Sequence, residues 1–227
     1  MENGIPLERT LSIRDVQRLA AIGEGQFLEF KRRVPEGRRL AKEIVAFANS
    51  GGGNLLVGVS DAGIVVGLRD AHEEIFALSG ALERYCDPPV PYALERVEVT
   101  GTREVIVIKV RESQEKPHFV MEPEDSTKRT AYVRVRDMSI EASREARRLM
   151  RAGTDSNIKF EFGEKELLLM RYLEEYRRIT VQQFAQLASI PAKRASHTLV
   201  LLARAELLEI HPDLGGDYFT LARRRAS

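Results

Sequence analysis

Glu24-Gly25-Gln26-Phe27-Leu28-Glu29-Phe30-Lys31 is the stretch from which the fold can be read. Its continuation is Ala46-Phe47-Ala48-Asn49-Ser50-Gly51-Gly52-Gly53-Asn54-Leu55-Leu56-Val57-Gly58-Val59-Ser60-Asp61-Ala62-Gly63. The first segment alternates with period two, as a strand does, which places Leu28 and Phe30 toward a core and Glu29 and Lys31 on the other face with Phe27. Residues 38–50 follow as a helix, because Leu40, Ile44, Val45, Phe47 and Ala48 fall on one stripe. Three glycines break that helix, since glycine readily takes the left-handed conformation that ends one. Residues 54–59 and 64–67 then read as paired strands about the turn Ser60-Asp61-Ala62-Gly63.

Working outward, Ser12 caps a short helix that Gly23 ends, and a further helix covers residues 71–85 before the breaker Asp87-Pro88-Pro89. Residues 93–99 and 104–111 alternate around Thr100-Gly101-Thr102-Arg103, a hairpin signal. The polar stretch 114–129 reads as a loop, 132–136 as a strand and 141–151 as a charged helix. Strands interleaved with helices predict an α/β (α+β) domain over residues 1–152. Ala152-Gly153-Thr154-Asp155-Ser156-Asn157 has the composition of a linker, and residues 160–227 form the second domain. There, helices at 164–176, 180–188 and 191–207 precede strands at 208–211 and 217–221, the order of a winged helix-turn-helix.

Bulk composition narrows the function classes. The chain has 227 residues, 30% charged and 43% hydrophobic, a globular balance long enough for one or two cores. A formal net charge of +1 means that any nucleic-acid binding must come from local basic patches. The single Cys86 has no internal disulfide partner, and no Cys/His spacing suggests zinc. The first residues lack a basic segment followed by an apolar one, and no apolar run reaches the length of a membrane span. The expectation is a cytoplasmic protein with no membrane association.

Glu24, Glu29 and Asp61 are the sharpest constellation. Carboxylates gathered by folding can hold Mg²⁺ or Mn²⁺, and Lys31 beside them could neutralise a phosphate. Read from the residues alone, the same side chains are more often a solvated or paired strand face and ordinary turn chemistry. Gly51, Gly52 and Gly53 could cradle a phosphate with their N–H groups, but they precede a strand rather than open a helix, which favours a helix cap. Arg32, Arg33, Arg38 and Arg39 cluster about the first strand and helix, and Arg134 and Arg136 point to one face of their strand. His118, after Pro117, reads as a packed loop residue.

These motifs resemble the Schlafen-type AlbA-like domain, including Lys116-Pro117-His118 and Tyr132-Val133-Arg134, over about residues 12–150. The resemblance implies a nucleic-acid-binding core. Nucleases of that family use three acidic residues in a Glu-x4-Glu-Phe-Lys stretch and a Gly-Val-Asp-Asp turn. Glu24, Glu29 and Asp61 match those positions and Lys31 matches the lysine, whereas Ser60 stands where the family has the first of two aspartates.

In the second domain, 180–188 fits the first helix of a helix-turn-helix, with Ser189 as N-cap and Pro191 early in the next helix. Lys193, Arg194, Ser196 and His197 then fall at the exposed start of the recognition helix, with Leu199, Leu202, Leu207 and Leu208 inward. A winged helix can also serve dimerisation, but the basic residues favour DNA. The leading expectation is an oligomeric DNA-binding transcriptional regulator, with RNA as the other partner. The rival is a Mg²⁺- or Mn²⁺-dependent endonuclease of RNA or single-stranded nucleic acid, the only reading that requires a cofactor.

Overall fold

The computed structural model describes residues 11–122, 125–153 and 162–222. The linker expected at 152–157 falls outside them from Thr154 onward, as does the basic tail at 223–225. The chain divides into two compact units, Met1–Ser139 and Ile140–Ser227.

The first unit opens with α1 (Ile13–Ile22), started by a reciprocal cap in which Asp15 N donates to Ser12 Oγ and Ser12 N to the Asp15 carboxylate. Strand β1 (Leu28–Lys31), helix α2 (Gly37–Asn49) and strand β2 (Gly53–Val57) follow, with β1 and β2 parallel and α2 as the crossover. Helix α3 (Ala71–Tyr85) is capped by Asp70, whose carboxylate accepts from Glu73 N. Next come β3 (Cys86–Asp87) and the antiparallel pair β4 (Tyr92–Thr100) and β5 (Arg103–Val110). The main sheet has the order β1-β2-β5-β4.

Both faces of that sheet are covered. Leu55 and Val57 of β2 and Ile106 and Ile108 of β5 pack with Leu40, Ile44 and Phe47 of α2 and Leu78 of α3. Leu56, Val105 and Val107 turn the other way, to Phe30, Val97 and the α1 residues Val16 and Ala20. Burial on both faces explains why Leu55-Leu56-Val57 and Val105-Ile106-Val107-Ile108 are continuously apolar, where alternation was expected for 104–111. Each fully buried Leu, Ile or Phe contributes roughly 1.5–3 kcal/mol.

The stretch expected as a loop contains β6 (Phe119–Glu122) and β7 (Asp125–Thr130), antiparallel to each other, with β6 also pairing β3. Its polar residues hid an edge ribbon in which Phe119 and Val120 are buried. Strands β8 (Tyr132–Val135) and β9 (Met138–Glu141) form a hairpin whose turn holds Arg136 at φ 57°.

The second unit contains α4 (Arg144–Ala152), α5 (Glu164–Tyr176), α6 (Val181–Leu187) and α7 (Ala192–Arg204). The antiparallel pair β10 (Leu208–His211) and β11 (Tyr218–Leu221) completes it. Leu169, Leu173, Phe184, Leu199, Leu202 and Phe219 form its core, with Leu149 of α4 packed against it. The division therefore falls before α4, which the composition of the sequence had placed in the first domain. Ser143 caps α4 and donates from Oγ to Asp217, and Ser196 Oγ of α7 donates to Glu145 Oε1 at 2.5 Å. Among the described residues no helix is long and apolar enough to cross a membrane.

Candidate functional site

The β1 carboxylate expected to face a ligand is enclosed. Glu29 is 6% exposed. One of its oxygens accepts from Lys31 Nζ, and the other accepts from Arg134 Nη2 at 2.5 Å. Alternation alone would turn Glu29 outward, but the β8–β9 hairpin lies over that face and supplies Arg134.

Arg134 itself is 3% exposed and saturated by the protein. Its Nη1 donates to Glu43 Oε2 at 2.9 Å and to Ser139 Oγ at 3.2 Å, and its Nη2 to the Gly25 carbonyl at 3.0 Å. The guanidinium also lies 5.0 Å from the centre of the Phe47 ring. Burial of a charge is tolerable only with such pairing. The expectation that Arg134 contacts nucleic acid is thus corrected: its donors face inward, while Arg136 two residues on is exposed.

Glu24 and Asp61 are both exposed. Glu24 Oε1 accepts from Phe30 N at 2.9 Å. Burial of its carboxyl raises its pKa first, and the nearby charges of Glu29 and Asp61 add to the rise, against the Phe30 bond and Lys31. Glu24 therefore senses the charges of the other two expected acids. Asp61 sits in the turn closed by Gly63 N donating to the Ser60 carbonyl at 2.8 Å, with Ser60 Oγ accepting from Ile64 N. Ser60 is thus a buried turn brace.

The donor set does not fit Mg²⁺ or Mn²⁺. Both Glu29 oxygens are committed to cationic groups, and among the described residues no three acidic, histidine or cysteine side chains stand close enough to share an ion. Hard divalent cations need about six oxygen ligands.

The glycine turn serves packing. Ser50 N and Gly52 N both donate to the Phe47 carbonyl, ending α2. Gly52 has φ 77°, and a Cβ there would meet the Val110 carbonyl oxygen at 2.7 Å. At Gly53 a Cβ would strike the Phe47 ring, and at Gly51 the Phe27 ring. With the Gly52 N–H turned back into the helix end, the phosphate-loop expectation for Gly51, Gly52 and Gly53 gives way to close packing.

Of the remaining basic residues, Arg32 and Arg33 line an open cleft of about 610 Å³ together with Arg69 and Arg103. Asp70, Glu73 and Glu74 line it too, so the cleft is mixed in charge. Arg38 is paired with Glu122, and Arg39 is exposed. In the second unit Lys193, Arg194 and His197 are exposed on the first half of α7. Ser196, expected beside them, is instead buried on Glu145, and Leu207 is partly exposed. Ser189 has φ 52° and lies in the turn, while Pro191 occupies the N-cap position.

Three residues central to this arrangement escaped the sequence reading. Gln26 donates to the Arg134 carbonyl and accepts from Arg136 N, and Asn49 bridges His118 and the Tyr132 carbonyl. Glu43 completes the Arg134 network. The signal was present for two of them, because Glu43 shares a helix face with Leu40 and Phe47, and Asn49 follows an apolar run. His118 is buried as a brace, its ring nitrogens 2.9 Å from the Pro88 carbonyl and 2.7 Å from Ser113 Oγ.

Comparison with known proteins adds to this geometry. The family model described as Schlafen, AlbA_2 matches residues 24–143. A search of curated proteins finds no match. Among solved structures, the DIP2311 protein from Corynebacterium diphtheriae is similar at 22% identity and a TM-score of 0.38. That match covers 53% of this chain and only 26% of the other, so the chain spans about a quarter of that protein's length. The family match takes in β1 and its acids, the glycine turn and the Arg134 hairpin, and the chain belongs to the Schlafen, AlbA_2 family, whose members in general bind nucleic acid.

Proposed function

We propose that the protein is a DNA-binding regulator of transcription that reads duplex DNA with α7. The observation that carries this is the exposed trio Lys193, Arg194 and His197 on the first half of α7, preceded by α6 and a tight turn. Helix, turn, helix and hairpin in this order support a winged-helix reading, a motif whose second helix enters the major groove. Such modules commonly read paired half-sites, which makes a homo-oligomer in the cytoplasm the working form. Family membership supports nucleic acid as the partner class.

Selection of bound sequences from a random duplex pool, followed by anisotropy titration, tests the reading. Lys193→Ala with Arg194→Ala should weaken the selected site by at least tenfold, since each good base or phosphate interaction is worth about 1–3 kcal/mol. Unchanged affinity would remove α7 as the reader. A clear preference for single-stranded RNA over every duplex would replace DNA as the target.

The nuclease reading has one observation in its favour, that the charges of Glu29 and Asp61 act on the Glu24 carboxyl. It would require Glu29 to leave Lys31 and Arg134. Labelled RNA and DNA incubated with Mn²⁺ should remain intact, and cleavage lost in Asp61→Ala would establish the rival.

A further inference from the structure

Helix α4 carries arginine at 144, 147, 148 and 151, the i, i+3, i+4, i+7 spacing of a single helical face. These four side chains line an open groove of about 340 Å³, with no acidic residue among the described residues that line it. The helix is firmly seated. Ala146 is buried, Leu149 packs on the core of the second unit, Ser143 bonds Asp217, and Glu145 accepts from Ser196 Oγ. Glu145, the acid within the helix, has one carboxylate oxygen bonded to α7.

Like charges at i, i+3 and i, i+4 oppose helix formation, so the row brings no benefit to folding by itself. Guanidinium groups are suited to paired hydrogen bonds with phosphate oxygens. From Arg144 to Arg151 the helix rises about 10.5 Å. Successive phosphates of one strand advance about 3.4 Å along the duplex axis while turning around it, so a row of that length reaches more than one phosphate. A compact anion could occupy only part of such a row, whereas a polyanionic strand matches its length.

We propose that α4 is a second nucleic-acid contact, gripping the phosphate backbone while α7 reads bases. This rests on the DNA-binding reading above but assigns a surface which that reading does not use. The Ser196–Glu145 hydrogen bond fixes the spacing between the two contacts. Because phosphates carry no sequence information, α4 supplies affinity and register, not specificity.

The test uses the full chain, random-sequence and selected duplexes, and anisotropy across a salt series. Arg147→Gln with Arg148→Gln should lower affinity for both duplexes by tenfold or more. The slope of log K against log salt should flatten by about 1.8, at roughly 0.9 for each phosphate no longer neutralised. Base preference should not change, and Arg147→Lys with Arg148→Lys should restore most of the slope. A second pair, Arg144→Gln with Arg151→Gln at exposed positions, covers the case in which the first pair unfolds. A wild-type slope in a folded glutamine variant overturns the α4 contact and leaves the α7 reading intact. Failure of the wild-type protein to bind any duplex overturns both. Loss of poly-glutamate binding with DNA affinity unchanged would give the stripe to an acidic protein partner and also overturn the proposal.

Discussion

Arg134 and Glu29 neutralise one another in a buried place, with Glu43 and Lys31 balancing the remaining charge. Removing one member leaves its partner buried and unpaired, which costs about 3–5 kcal/mol. Glu29→Ala should therefore lower unfolding stability by about 3 kcal/mol, the lower end because Glu43 still faces Arg134. Arg134→Ala should cost more, since it strands two carboxylates and leaves a cavity under Phe47. Urea denaturation of both variants checks the order, and a neutral Glu29→Ala would contradict the network. Loss of nucleic-acid binding in either variant thus has to be read beside its stability. Glu24 allows a pH experiment. Its raised pKa means that the folded state holds the proton more tightly than the unfolded chain. Its contribution to stability is complete below the ordinary glutamate value and fades as pH rises through the raised one. Carboxyl NMR should show Glu24 titrating above the usual range, and Asp61→Asn should move it down.

The glycine turn and α4 show how whole segments are held. A side chain at Gly52 meets both a left-handed backbone and the Val110 carbonyl. Gly52→Ala should destabilise the first unit by about 2 kcal/mol, of which about 1–2 comes from the backbone conformation. Thermal melting measures it, and an unchanged midpoint would mean that β5 yields freely. Helix α4 depends on Ser143, which both caps it and bonds Asp217. Losing that cap in Ser143→Ala should cost about 1 kcal/mol. Burial raises the Asp217 carboxyl above the Ser143 bond's opposing effect, so Asp217 also favours the fold at low pH and loses that contribution as pH rises through its shifted value. By contrast, burial pushes the Cys86 thiol up to about 12, which keeps it a protonated core residue at neutral pH.

For the molecule as a whole, the position of the division has a consequence for its fragments. Because α4 packs with the second unit, a fragment of residues 140–227 should unfold cooperatively at a higher temperature than one of residues 160–227. The shorter piece loses Leu149 from the core and exposes the Ser196 face of α7. Protease cleavage between residues 152 and 160 in the intact chain should leave two pieces that co-elute until denaturant releases α4. Separate elution in native buffer would show that α4 does not depend on α7. The two basic surfaces of the second unit, on α4 and α7, also explain how a chain with formal net charge +1 could bind a polyanion: its charge is concentrated, not excessive.

Periodicity and punctuation determined the order of elements. An apolar stripe marked α2, alternation about a turn marked β4 and β5, and Gly51-Gly52-Gly53 marked the end of α2, because these are local consequences of helix and strand geometry. The family resemblance was likewise legible in contiguous motifs. Only tertiary structure decided which charges face water. Residues 29 and 134 are far apart in sequence, and alternation cannot say that a hairpin will cover the outer face of β1 and turn an apparent ligand into half of a buried ion pair. The same holds for α4, whose arginines looked like a charged helix of the first domain until Ala146, Leu149 and Glu145 placed it on α7. Burial and pairing are properties of packing between distant segments, and packing is what local sequence pattern leaves open.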